Sequence, residues 1–100
     1  MKKEAIQEAI RNILNEINSG FIFDTHFVID QLISLYSDEY LDFACSVNAS
    51  DKKTSLVHGF IGKEIDKFVK EGLIENVPNE SWSKNIHGKA SKCTAWKKIK

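Results

Sequence analysis

The chain has 100 residues, 42% of them hydrophobic and 28% charged, and its formal net charge is zero. This length predicts one domain, residues 1–100, with a single modest core. Apolar runs stay well short of the ~20 residues that span a bilayer, and the N-terminal sequence lacks a signal-peptide pattern. We therefore expect a cytoplasmic protein that has no membrane partner and whose cysteines, Cys45 and Cys93, are reduced.

The zero net charge conceals an uneven distribution along the chain. Residues 1–50 have a formal charge of −5 and residues 51–100 a formal charge of +5, and the last twenty residues hold six lysines and no acid. A basic surface attracts phosphate groups, which favours a nucleic-acid partner. In the alternative interpretation, lysines of a C-terminal hairpin only keep the edge of a sheet soluble.

The spacing of apolar residues predicts four helices in the first three quarters of the chain. The first ends at Asn18-Ser19-Gly20, and Phe21-Ile22-Phe23 then favours a brief strand. Asp24 or Thr25 is a suitable N-cap for the second helix. The expected helices lie near residues 3–18, 25–36, 38–47 and 55–71.

Gly72 is expected to stop the fourth helix, because glycine readily takes the left-handed conformation that ends helices. Apolar stretches at 73–77 and 92–99 predict two strands of a hairpin, separated by a turn at Pro78 and a polar loop. The sequence thus predicts a small α+β fold in which three to four helices precede a C-terminal hairpin.

The passage from Ile61 to Glu75 resembles the recognition-helix-to-wing segment of winged helix-turn-helix regulators. In these regulators a helix of similar pattern ends at a glycine and is followed by apolar strand residues. The resemblance implies a winged helix in which residues 54–72 form the recognition helix and residues 73–99 the wing hairpin. It also implies DNA binding. The segment Ser81 to Cys93 is longer than a plain wing, and if it folds over the fourth helix, that helix would not reach DNA.

The candidate site combines the fourth helix with the polar loop. Lys63, Lys67 and His58 are expected to face the groove of DNA, Gly59 to allow close approach, and the loop to contact backbone phosphates. The candidate nucleic-acid-binding residues are Thr54, Ser55, His58, Gly59, Lys63, Lys67, Lys84, Asn85, His87, Lys89 and Lys92. The alternatives are that the helix glycines, Gly59 and Gly62, serve helix packing and that the loop is polar only because hairpin loops are.

Two tryptophans are expected to anchor the hairpin to the core through their large apolar area. They are Trp82 and Trp96, and base stacking by either is the alternative. The three histidines and two cysteines show no zinc-like spacing, and no serine lies in a nucleophile elbow. We therefore predict no metal site, no cofactor and no catalytic residue.

The N-terminal helix, within residues 1–20, carries a wide stripe of isoleucine, leucine and alanine. The stripe indicates either pairing into a homodimer, as palindromic DNA sites favour, or closure of the core of a monomer.

The sequence as a whole predicts a small bacterial or phage protein that binds double-stranded DNA. We expect it to be a transcriptional regulator or an accessory factor. The alternative is a winged-helix module that binds a protein partner without DNA. The neutral net charge, the acidic first half and Asp66 on the expected reading face favour that alternative.

Overall fold

A computed structural model describes residues 2–46, 53–78, 81–84 and 88–100. Within these ranges the chain forms four helices and five short strands, which confirms the α+β class and is compatible with a winged-helix-like arrangement. The elements are α1 (Lys2–Glu16), β1 (Ile22–Asp24), α2 (Thr25–Leu35), α3 (Ser37–Ser46), α4 (Lys53–Lys70), β2 (Ile74–Asn76), β3 (Ser81–Lys84), β4 (Ala90–Cys93) and β5 (Ala95–Lys98).

Two small antiparallel sheets follow from these strands. The first has the order β1-β5-β2, with Trp96 of β5 between Phe23 of β1 and Asn76 of β2. The pairing of β2 with β5 is the hairpin that the sequence predicted. The second sheet pairs β3 with β4 as a separate two-stranded hairpin, in a stretch where the sequence predicted a loop followed by a last strand beginning at residue 92.

Local signals end and begin the elements as expected at two places. The Asp24 side chain caps α2 by accepting a hydrogen bond from the Phe27 amide at 2.9 Å. Gly72 has φ +77°, and the amides of Gly72 and Leu73 donate to the carbonyls of Val69 and Phe68. This pair of bonds is the Schellman arrangement, which satisfies carbonyls that a helix end leaves without partners.

The core lies between the helices and the three-stranded sheet. It is built from aliphatic side chains of α1, α2 and α4 together with Phe23, Phe43, Phe68 and Trp96. The stripe of α1 is fully part of it: Ile6, Ala9, Ile10, Ile13 and Leu14 are all buried. Of the two interpretations of α1, closure of a monomer core is therefore the one that burial supports.

Several detailed predictions are corrected. Helix α4 begins at Lys53 rather than near residue 55, so Thr54 and Ser55 lie in its first turn. Trp82 was expected to anchor the hairpin to the core and is exposed instead. Trp82 is 66% exposed, so of the two tryptophans only Trp96 is anchored in the core. Both cysteines are free thiols, as predicted.

Candidate nucleic-acid interface

The middle of α4, the first turn of α2 and the base of the β3–β4 hairpin meet at Thr25. A side chain at Gly62 would come within 3.9 Å of the Thr25 methyl group, so α4 runs close to the start of α2 there. The Thr25 hydroxyl donates to the Thr94 carbonyl at 3.1 Å. Since Thr94 separates β4 from β5, this bond fixes the base of the hairpin beside α2.

A second contact holds the inner face of the hairpin against α2. Nδ1 of His26 lies 2.7 Å from Oγ of Ser83, and that hydroxyl lies 3.9 Å from Sγ of Cys93. Adjacent residues of a strand point to opposite faces of a sheet, so Trp82 and Lys92, which are cross-strand partners, lie on the outer face. Both are exposed.

Two described residues, Gly88 and Lys89, directly precede β4. Gly88 takes φ +77°, a conformation that a residue with a side chain rarely adopts, and the following Lys89 is exposed. Trp82 and Lys92 form what we call the outer hairpin face, and the exposed Lys89 directly precedes β4. The sequence pattern predicted a loop at Trp82 and Lys89 and the start of the last strand at Lys92, so a separate hairpin was not expected.

The exposed face of α4 carries the predicted Gly59 and Lys63. Nζ of Lys63 lies 5.7 Å from the centroid of the Phe60 ring, which is itself exposed. A side chain at Gly59 would meet no described atom within 4 Å. Helix packing, the alternative offered for this glycine, therefore finds no neighbour in the described part of the chain, and the backbone at Gly59 is open to close approach.

His58 does not share that face, which corrects the prediction that it lies beside Lys63. Five residues of an α-helix turn it by about 500°, which places His58 about 140° around the axis from Lys63. Nε2 of His58 lies 2.9 Å from the Tyr40 hydroxyl, so the imidazole connects α4 to α3. Burial raises the pKa of Tyr40, which keeps the phenol in its neutral, hydrogen-bonding form.

Lys67 lies at the edge of the α4 face, toward α1. Its Nζ donates to the carboxylate of Glu64 at 3.0 and 3.1 Å, and Nε2 of Gln7 donates to the same carboxylate at 2.6 Å. Glu64 is buried although it is charged, and these donors satisfy it. Sequence reasoning placed Lys67 in the groove, whereas the structure gives it a carboxylate partner at the α1–α4 contact.

A second bridge between the same helices is more exposed. The guanidinium of Arg11 donates two bonds of 3.0 Å to the carboxylate of Glu71 and lies 4.8 Å from the centroid of the Phe68 ring. The hydrogen bond to Glu71 raises the pKa of Arg11. The two bridges hold α4 at a fixed angle to α1.

Asp66, the acid on the expected reading face, also has a hydrogen-bond partner. Nε1 of Trp96 donates to Oδ1 of Asp66 at 3.3 Å, so this acid on the exposed side of α4 anchors the core tryptophan. Thr54 and Ser55 belong to α4 and Lys84 to β3 by backbone, while Asn85 and His87 lie outside the described residues.

A different feature, missed by the sequence analysis, is an apolar groove of about 530 Å³ between α1, β1 and α2. Four large side chains that line it are exposed: Phe21, Ile22, Phe27 and Leu35. Its charged lining consists of Glu16 and Asp24, with no basic side chain among the residues described there. The short sequence Phe21-Ile22-Phe23 was the available signal, but it was interpreted only as a strand.

No protein-family model, curated protein or solved structure matches the chain. In the described ranges, no helix is long and apolar enough to cross a membrane.

Proposed function

We propose that this protein binds nucleic acid through the exposed face of α4 and the outer hairpin face. The observation that carries the proposal is that α4 and the base of the hairpin both contact α2 at Thr25, so the two basic elements lie beside the same end of α2. Lys63 on the helix and Lys89 and Lys92 on the hairpin are exposed cations from segments far apart in sequence.

The roles follow from the chemistry of these side chains. Ammonium groups on flexible stems neutralise phosphates without reading sequence, and they position a protein on the nucleic-acid backbone. The open backbone at Gly59 lets α4 approach a groove more closely than a side chain would allow. We propose double-stranded DNA as the partner and a winged-helix mode of binding, with regulation of transcription as its setting.

The test is fluorescence anisotropy with a labelled duplex of mixed sequence at several salt concentrations. Neutralisation of about three phosphates, one for each of Lys63, Lys89 and Lys92, gives a slope of about −2.7 for log affinity against log salt. The double variant Lys63→Glu and Lys89→Glu is expected to abolish binding. Lys100→Glu is the matched control, because Lys100 follows β5 at the end away from the hairpin and carries the same charge.

Two results would contradict the proposal. One is the absence of binding by the unaltered chain at low salt. The other is unchanged binding by the double variant, which would remove both surfaces from the site. Circular dichroism of each variant establishes that it is folded.

A second function, binding of a protein segment without DNA, is favoured by the apolar groove. Contiguous exposed apolar surface marks interaction sites, whereas single exposed apolar residues do not. We propose as its occupant an amphipathic segment of a partner protein that carries lysine or arginine, because the charged lining of the groove is acidic. Titration with a synthetic leucine–lysine peptide, with Leu35→Lys as the variant that blocks the groove, tests this function.

A further inference from the structure

The two tryptophans of this chain lie in opposite environments. The Trp96 indole is 1% exposed, stacks at 5.9 Å on the Phe23 ring, and donates its N–H to Asp66. Trp82 is 66% exposed and lies on a strand face that points away from α2. Trp96 stabilises the core because it is buried there. Trp82 is exposed, so core packing does not explain an indole at position 82.

The surroundings of Trp82 indicate what it contacts. Lys92 is its partner across the strands, and Lys89 follows the turn at Gly88. The final twenty residues contain no acidic side chain. An exposed aromatic ring among cations suits a polyanion that also offers flat apolar surfaces, and single-stranded nucleic acid has both features.

We propose that Trp82 stacks on an unpaired base while Lys89 and Lys92 contact the adjacent phosphates. This inference rests on the proposed function and narrows it. Bases of an intact duplex are already stacked on both sides, so an indole gains contact only where a base is unpaired, at a single strand, a gap or a frayed end. The outer hairpin face therefore prefers nucleic acid with unpaired bases, whereas the α4 face does not distinguish paired from unpaired bases.

The fluorescence of Trp82 gives a direct readout. The probe is an oligothymidine of about 15 nucleotides, within the range of single-strand binding sites. Saturation with the oligothymidine is expected to quench the emission of Trp82 and to shield this indole from further quenching by acrylamide. In Trp82→Ala, the remaining emission comes from the buried Trp96, and the oligonucleotide is expected to leave it unchanged.

Affinities then separate the contribution of stacking from that of charge. Trp82→Ala is expected to weaken oligothymidine binding by about tenfold or more, and Trp82→Phe to retain most of the affinity because phenylalanine also stacks. Binding to a duplex whose two ends are closed by linkers without nucleotides is expected to change by less than about twofold, since such a duplex offers no unpaired base for stacking. The double variant Lys89→Glu and Lys92→Glu is expected to weaken binding of both the oligothymidine and the closed duplex.

The outcomes distinguish this inference from the function on which it rests. If the lysine variant weakens binding but Trp82→Ala does not, or if Trp82 emission is unchanged at saturation, the stacking inference is wrong and nucleic-acid binding stands. If Trp82→Ala weakens the closed duplex as much as the single strand, the preference for unpaired bases is wrong. If the unaltered chain binds neither probe at low salt, both proposals fail.

Discussion

At the scale of single residues, Lys98 has the least expected environment. It belongs to the basic C-terminal stretch, yet it is 3% exposed. Its Nζ donates bonds of 2.8 Å to the carbonyls of Leu14 and Ile17. Both carbonyls lie at the C-terminal end of α1, where the helix dipole favours a cation, and that of Leu14 also accepts from the Ile17 amide at 3.1 Å. Lys98 therefore caps α1 from the opposite end of the sequence.

Lys98→Met keeps the apolar stem and removes the ammonium group, so both of its hydrogen bonds to the end of α1 are lost. We expect the free energy of unfolding to fall by about 2 kcal/mol, the range for hydrogen bonds to charged groups. The neighbouring Lys97 is exposed, so Lys97→Met is expected to change it by less than about 0.5 kcal/mol. Urea denaturation of both variants measures the difference, and equal stabilities would show that Lys98 does not act as a cap.

At the scale of elements, two polar bridges between α1 and α4 differ in burial. The Gln7–Glu64 bond ends on a carboxylate whose side chain is 6% exposed, whereas Arg11 and Glu71 are 41% and 47% exposed. A hydrogen bond away from water is stronger, and an exposed ion pair is screened by solvent. We therefore assign the orientation of α4 mainly to Glu64.

Double-mutant cycles with alanine test this assignment. The Gln7–Glu64 pair is expected to show a coupling energy of about 1 kcal/mol or more that is insensitive to salt. The Arg11–Glu71 pair is expected to show less than about 1 kcal/mol, declining as salt is added. Thermal or urea unfolding of the single and double variants gives both values. A larger coupling in the exposed pair would reverse the assignment.

At the scale of the whole molecule, the charge asymmetry of the sequence separates two surfaces. The outer hairpin face carries a lysine, with a second directly before β4, and the apolar groove between α1, β1 and α2 carries carboxylates. The α1 stripe, offered as a dimer contact, is buried in the chain's own core. A homodimer would therefore need another apolar surface, and the groove is one that the described residues present.

Two leucine-to-lysine variants test whether the groove binds a basic amphipathic peptide. Leu35→Lys adds a charge to the groove, while Leu41→Lys adds one to an exposed leucine of α3 that does not line it. We expect the leucine–lysine peptide to bind the unaltered chain and the Leu41 variant, and to lose affinity for the Leu35 variant. A leucine–glutamate peptide is the control for charge and is expected not to bind.

Equal binding of the peptide to both variants would contradict the groove as its site. Analytical ultracentrifugation tests the other candidate occupant of the groove, a second copy of this chain. A dimer that is lost in Leu35→Lys and kept in Leu41→Lys would assign the groove to self-association instead of a partner protein.

The sequence was sufficient where a signal is local. Asp24 as a cap and Gly72 as a stop were predicted because each acts through backbone groups within a few residues. The α1 stripe and the pairing of β2 with β5 followed from periodicity, since a repeating pattern of apolar residues reports the face that is buried. The exposure of Lys63 followed in the same way.

Tertiary structure decided what depends on residues far apart in the chain. Residue type alone could not tell Trp82 from Trp96, because both are apolar residues in a C-terminal stretch and their burial is set by what packs over each strand. His58 was directed to Tyr40 and Lys98 to α1 by neighbours that periodicity does not encode, whereas the Glu64–Lys67 pair, three residues apart on α4, was a local signal that the prediction overlooked. Sequence by itself determined the four helices, the pairing of β2 with β5 and the apolar stripe of α1, which follow from local patterns. Only the packing of those elements decided which polar side chains reach solvent and which are held by a partner.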